Sequence, residues 1–167
     1  TSYSQEHSHN NESKTDAIYR IINEEHSAAL ASLLIQNYEG RIVPFHSLCD
    51  ELLRKVHGGK TYNEYNAVQT VISMHMYPNH WMNEKVISIP SALRERLKLK
   101  PYASTLDLTS KDGNFKWLKE YKIAHQKLES KRDEFDKKLI ILIDRFEVMN
   151  LIFTWQYMRI IPKIGDQ

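Results

Sequence analysis

Between Trp117 and Phe146 the chain carries no glycine and no proline, so no residue in that stretch interrupts a helix through its own backbone chemistry. From Tyr121 onward, Ala124, Leu128, Phe135, Leu139, Leu142 and Phe146 follow one another at steps of three, four or seven. That spacing lines them along one side of a helix. Asp133 with Lys137 and Glu134 with Lys138 add oppositely charged pairs four residues apart in the favourable order. The stretch therefore predicts one long helix. Its first half has a narrow apolar stripe, while Leu139 to Ile143 is almost wholly apolar, which predicts an arm that projects at its start and is buried at its end. Val148 to Tyr157 reads as a final apolar helix, and Ile160-Ile161-Pro162 closes the fold.

Upstream, three further helices are expected. Ser13 with Asp16 makes a capping pattern before Ile18, Ile21, Ile22, Leu30, Leu33 and Leu34, so a first helix should run to about Gly40. Ser47 and Asp50 repeat that pattern before Leu48, Leu52, Leu53 and Val56, and His57-Gly58-Gly59 is a stop signal. Thr61 and Glu64 start a third, with Val68, Val71, Ile72 and His75 on one face and Pro78 as its breaker. Between Pro78 and Gly113 the pattern changes. Val86, Ile87 and Ile89 form a β-prone run ended by Pro90, Ser91 to Leu97 makes one or two helical turns, and Thr105 to Thr109 alternates as a strand does. Lys111-Asp112-Gly113 is a turn, after which Phe115 and Trp117 either return as a second hairpin strand or begin the long helix. The expected class is mainly α with a small β element (α+β): N-terminal helices, a short β section near 85–117, a long C-terminal helix and a terminal helix. Thr1 to Lys14 is polar and reads as a mobile tail, leaving residues 15–167 as a single domain.

Composition narrows the classes of function. The mean hydropathy of −0.54 and the lack of any apolar run near the ~20 residues of a membrane span argue against membrane residence. The single cysteine, Cys49, cannot form an internal disulfide, and the expected compartment is the cytoplasm, of a host cell if the gene is phage-borne. Cys49 lies between Leu48 and Leu52 in spacing and is read as a core residue. Met74-His75-Met76-Tyr77-Pro78-Asn79-His80-Trp81-Met82 offers soft groups that could hold copper(I), but a packed corner around the proline is the preferred reading and no metal or cofactor is expected. No HExxH, paired-cysteine, phosphate-loop or GxSxG pattern is present. Asp133 with Asp136 and Asp50 with Glu51 lie on predicted helices beside basic residues and read as solvated faces, so enzymatic activity is not favoured.

The net charge of +2 conceals an asymmetry. Residues 1–84 hold 6 basic and 10 acidic side chains, residues 85–132 hold 12 and 5, and residues 133–167 hold 5 and 6. Within the middle block, Arg94, Arg96, Lys98 and Lys100 follow the expected strand, and Lys116, Lys119 and Lys122 surround Trp117 and Tyr121. Cations interleaved with aromatics can contact phosphates or an acidic partner and can stack on bases. These nine residues are the candidate binding site.

Two resemblances accompany this reading. Val86 to Pro101, with its strand, Pro90 and short helix, resembles the AbrB/SpoVT swapped-hairpin transcription factors, in which Arg94 would fall on a position used toward DNA and Thr105 to Thr109 on the next strand. The resemblance covers about a fifth of the chain and implies DNA-binding dimers. The whole layout, with the Pro-x-x-Trp corner at Pro78 to Trp81, a small β section, a long charged helix and Trp155 before Ile161-Pro162, is similar to a phage-borne small-protein family described as nucleotide-modification-associated. That implies a phage protein acting near DNA metabolism or host defence. The combined expectation is a non-catalytic interaction protein, phage- or bacterium-encoded, that binds a host macromolecule, with direct DNA or RNA binding as the alternative and a homodimer through the long helix as a further expected partner.

Overall fold

The structure, a computed structural model, describes residues 21–37 and 39–159. Helix α1 (Glu24–Ala31) leads into a hairpin of β1 (Leu34–Asn37) and β2 (Ile42–Pro44), followed by α2 (Phe45–His57). A second, minimal hairpin of β3 (Thr61–Tyr62) and β4 (Tyr65–Asn66) precedes α3 (Ala67–Met76) and the single turn α4 (Pro78–Trp81). Then come β5 (Ile87–Ser88), α5 (Ser91–Leu97), β6 (Tyr102–Ala103) and α6 (Thr105–Leu108). Helices α7 (Leu118–Gln126) and α8 (Glu134–Phe153) and strand β7 (Met158–Arg159) complete the described chain. All strand pairs are antiparallel: β2-β1-β7 in one sheet, β3-β4 and β5-β6 in two others. The chain is thus mainly α with a small β component.

One apolar core joins these elements. Leu48, Leu52, Leu53 and Val56 of α2, Val68, Val71 and Met74 of α3, and Leu139, Leu142, Phe146 and Met149 of α8 are all buried in it. The helical spacing of these positions is what brings them to one side of each helix. Trp81 and Tyr157 are among the largest wholly buried side chains, and the Trp81 indole donates to the Ser73 hydroxyl at 2.9 Å. Within the soft-ligand stretch Met74, His75 and Trp81 are packed inside, whereas Met76 is 52% exposed.

Several boundaries differ from those expected. The long helix is two helices. Lys127 to Asp133 is non-helical apart from a 3₁₀ turn at Glu129–Lys131, and the break is built from side chains. Arg132 donates through Nε to the Ala124 carbonyl at 3.1 Å and through Nη2 to the His125 carbonyl at 3.0 Å, which satisfies the end of α7. Asp133 accepts from the Asp136 amide at 2.8 Å and opens α8 with a capping box. Asp133 is thus a cap and not the partner of Lys137, whereas Glu134 and Lys138 do pair at 3.5 Å. Helix α7 packs back on α8 and buries Ala124, so the first half does not project as an arm. The expected terminal helix, Val148 to Tyr157, is for the most part the end of α8.

The remaining differences are turns. Leu33 and Leu34, read as helix, fall at the entry to β1, because the Asn37 side chain accepts from the Glu39 and Arg41 amides and folds the chain into a hairpin. Gly40, at φ 84°, supplies the left-handed residue that hairpin requires. Thr61 and Glu64 belong to the β3-β4 hairpin, and the true start of α3 is the capping box of Asn66 and Gln69. Thr105 to Leu108 is a helical turn capped by Ser104, not a strand, and Thr109 bridges to Phe115, which realises the hairpin alternative at Lys111-Asp112-Gly113. The polar tail and the Ser13-Asp16 capping pattern lie outside the described residues.

Two stability predictions follow from the core. Leu142→Ala removes a wholly buried side chain from the middle of α8 and is expected to cost about 2–5 kcal/mol, read as a lower urea midpoint at unchanged slope. His75, only 3% exposed, donates through Nδ1 to the Ile152 carbonyl at 2.6 Å, and burial pushes its pKa from 6.5 down to about 4. Below the ordinary value the unfolded chain takes up a proton that the folded chain refuses, so stability should fall as pH drops from about 6.5 toward 4. Urea titrations across that window should give a steeper loss for the native protein than for His75→Gln.

Candidate anion-binding site

Four lysines converge where the β5-β6 hairpin meets the start of α7. Buried Val86, Ile87 and Ile89 fix β5 in the core, and Lys85 precedes them at the surface. Pro90 adopts extended geometry at the N-terminus of α5, as its fixed φ allows. The helix ends at Lys98, which takes a left-handed conformation at φ 54° and whose amide turns back to the Arg94 carbonyl. Lys100 follows, then β6. Ser104 and Asp107 cap α6 reciprocally, and the chain returns through the Thr109–Phe115 bridge to Lys116 and Trp117.

The result is a cleft of about 330 Å³. Lys85, Lys98, Lys100 and Lys116 line it, with Asp107 as the one carboxylate. Leu97, Leu99 and Trp117, each half-buried against the core, and Tyr102 supply its apolar surface. Lys116 Nζ donates to the Asp107 carbonyl at 2.6 Å, which holds α6 against the strand leading to α7. The Tyr102 ring stacks on His57 at 4.9 Å between centroids, and His57 Nδ1 donates to the Val86 carbonyl at 3.0 Å. All four lysines are solvent-exposed at the cleft, and their like charges together make it a region of positive potential.

Of the nine residues expected from the sequence, Lys98, Lys100, Lys116 and Trp117 come together here. Arg94 donates through Nε to the Ile89 carbonyl at 2.9 Å, and the Arg96 guanidinium lies over the Phe135 ring at 3.8 Å. Both arginines are thus engaged in holding α5 to its neighbours. Tyr121 packs against the core, and Lys119 and Lys122 are exposed on α7 without lining the cleft. Lys85 and Tyr102 were not among the nine. Lys85 sits at the edge of the basic block, immediately before the β-prone run, and that adjacency was the available signal.

Asp136, expected on a solvated face, is instead 5% exposed and accepts from Lys127 Nζ at 2.6 Å. Cys49 is buried, and burial pushes its thiol well above the ordinary range, so it is not poised as a nucleophile. Neighbouring His46 hydrogen-bonds the Ala31 carbonyl at 3.0 Å instead. Among the described residues no three His, Cys, Asp or Glu side chains group as metal ligands, and no helix is long and apolar enough to cross a membrane.

Comparison with known proteins adds one distant similarity. No family model matches the chain. Over 146 residues, 86% of this chain, it is 24% identical to Protein NrfI of Wolinella succinogenes, and the match spans 16% of that protein's length.

The electrostatics of the cleft can be read at Asp107. Its carboxyl is held below the usual 3.8, first by the backbone hydrogen bond from Ser104, then by the Ser104 hydroxyl and by the charges of Lys85 and Lys116, with burial opposing. An NMR titration should place its midpoint below the ordinary value, and Lys116→Ala should raise that midpoint while leaving it depressed by the Ser104 contacts. An unmoved midpoint in the variant would show that Lys116 exerts no field in the cleft.

Proposed function

We propose that this domain is a non-catalytic binding module whose lysine-lined cleft receives an anionic group of a macromolecular partner. The observation that carries the proposal is the convergence of Lys85, Lys98, Lys100 and Lys116 on one cleft with a single opposing carboxylate. Clustered like charges repel one another, and an anionic group bound among them relieves that repulsion. An acidic protein is the favoured partner. A polynucleotide needs a continuous track of cations along its backbone, whereas here the two arginines of the basic block are turned to structural contacts and the α7 lysines lie outside the cleft. Direct DNA or RNA binding is the second reading, favoured by Trp117, whose half-buried ring shares the cleft with Lys116 and could receive a base.

Fluorescence anisotropy with labelled poly-glutamate and with a single-stranded oligonucleotide of equal charge separates these readings. Poly-glutamate should bind more tightly, its affinity should fall as salt rises from about 50 to 200 mM, and Lys98→Glu with Lys116→Glu should weaken it by about tenfold or more. The same two reversals at Lys119 and Lys122 should have a smaller effect. Tighter binding of the oligonucleotide, with equal sensitivity to both pairs of variants, would replace the proposal by the nucleic-acid reading.

A further inference from the structure

The β5-β6 hairpin has one edge that the fold uses and one that it leaves open. Ile87 is opposite Ala103 and Ser88 is opposite Tyr102. The Ile89 amide donates to the Pro101 carbonyl at 2.8 Å. In an antiparallel ladder hydrogen-bonded and non-hydrogen-bonded pairs alternate, so Ile89–Pro101 and Ile87–Ala103 are the bonded pairs and Ser88–Tyr102 is the unbonded pair between them. The backbone amide and carbonyl of Ser88 and of Tyr102 therefore point outward, from opposite edges of the hairpin.

The two edges differ in what meets them. At the β5 edge the Ser88 carbonyl accepts from the guanidinium of Arg145, on α8. At the β6 edge the Tyr102 amide and carbonyl have no hydrogen-bond partner among the described residues. Tyr102 is 41% exposed and lies in the lysine cleft, beside Lys100. An outward amide and carbonyl on one residue of a strand form the donor and acceptor pair that another extended polypeptide completes. A phosphodiester backbone has acceptors only and cannot answer the carbonyl.

We propose that an extended acidic peptide segment adds to the free edge of β6, its backbone pairing with Tyr102 and its carboxylates received by the surrounding lysines. The inference rests on the anion-binding reading of the cleft and deepens it by naming the ligand as a strand. The same lysines act against the simplest competitor. Edge strands flanked by lysine resist pairing with a second copy of themselves, because two basic edges repel. An acidic strand turns that repulsion into attraction. The cleft therefore selects by charge, and the β6 edge selects for polypeptide.

The test uses the wild-type protein and varies the ligand, so protein folding is not at issue. The probes are a labelled octapeptide of alternating glutamate and valine, the same peptide N-methylated at every backbone amide, inorganic pyrophosphate, and a single-stranded oligonucleotide. Anisotropy or calorimetry gives affinity, and NMR hydrogen exchange reports the Tyr102 amide. The expected result is binding of the plain peptide, slowing of Tyr102 exchange by about tenfold, and affinity about tenfold lower for the N-methylated peptide, whose charge is unchanged but whose backbone donors are gone. Equal binding of the two peptides with Tyr102 still exchanging freely would overturn strand addition and leave the anion site standing. Failure of both the peptide and pyrophosphate to bind would overturn the anion site as well. An oligonucleotide that binds more tightly than the plain peptide would overturn the peptide as ligand.

Discussion

Leu139, Leu142, Ile143, Phe146, Met149 and Ile152 give α8 a buried apolar face, and α2, α3, α5, α6 and α7 all pack against this helix. Helices this short do not hold their shape alone in water, and most of their stability comes from such packing. The lysine-lined cleft inherits its geometry from the same source. Phe135, near the start of α8, carries Arg96 of α5 over its ring, and Arg145, about three turns further on, reaches the Ser88 carbonyl of β5. Burial lowers the pKa of Arg145, a sign that its charge gives up hydration to make that contact. A β-hairpin of two residues per strand has too few bonds to stand alone, so it is held in place by the helix behind it.

What the sequence revealed depended on whether the responsible residue acts alone. Gly58, at φ 95°, ends α2 by a conformation that other residues avoid, and Pro90 starts α5 through its fixed φ, so both boundaries were legible. The break between α7 and α8 was not. No glycine or proline marks it, and it exists because Arg132 reaches back to two carbonyls while Asp133 caps forward. Each of these side chains also has a good helical role, as the Asp133–Lys137 spacing illustrates, and only the folded geometry chooses between them. Thr105 to Thr109 failed for a similar reason: Leu108 is buried while Leu106 is exposed, so alternation in the sequence did not correspond to one buried face.

The site was legible as a block of charge and illegible as a shape. The excess of positive charge over residues 85–132 marks the region, but it does not say which cations face each other. Lys98 lines the cleft from the left-handed position at the end of α5, a position more often given to glycine or asparagine. Arg94 and Arg96, only a few residues before it, turn to a carbonyl and a ring. Their planar, multidonor heads suit such fixed contacts better than a lysine ammonium does, which explains why the arginines of the block became structural and the lysines remained at the cleft.

That division of labour limits what charge can contribute to recognition. Mobile ammonium groups on flexible stems attract any anion and chiefly raise the rate of encounter, while directional groups decide which partner stays. In this cleft Lys85, Lys98 and Lys100 are the undirected part, while Lys116 is tied to the Asp107 carbonyl. The directed part is small: the faces of Trp117 and Tyr102, and the outward amide and carbonyl of Tyr102. Tyr102 is also the residue whose ring stacks on His57, whose imidazole is tied to the Val86 carbonyl immediately before β5. The orientation of its backbone is therefore set from both sides, by the ladder to β5 and by the ring stack on α2. A backbone edge held that firmly loses little freedom when a ligand pairs with it, so even a short stretch of pairing can discriminate.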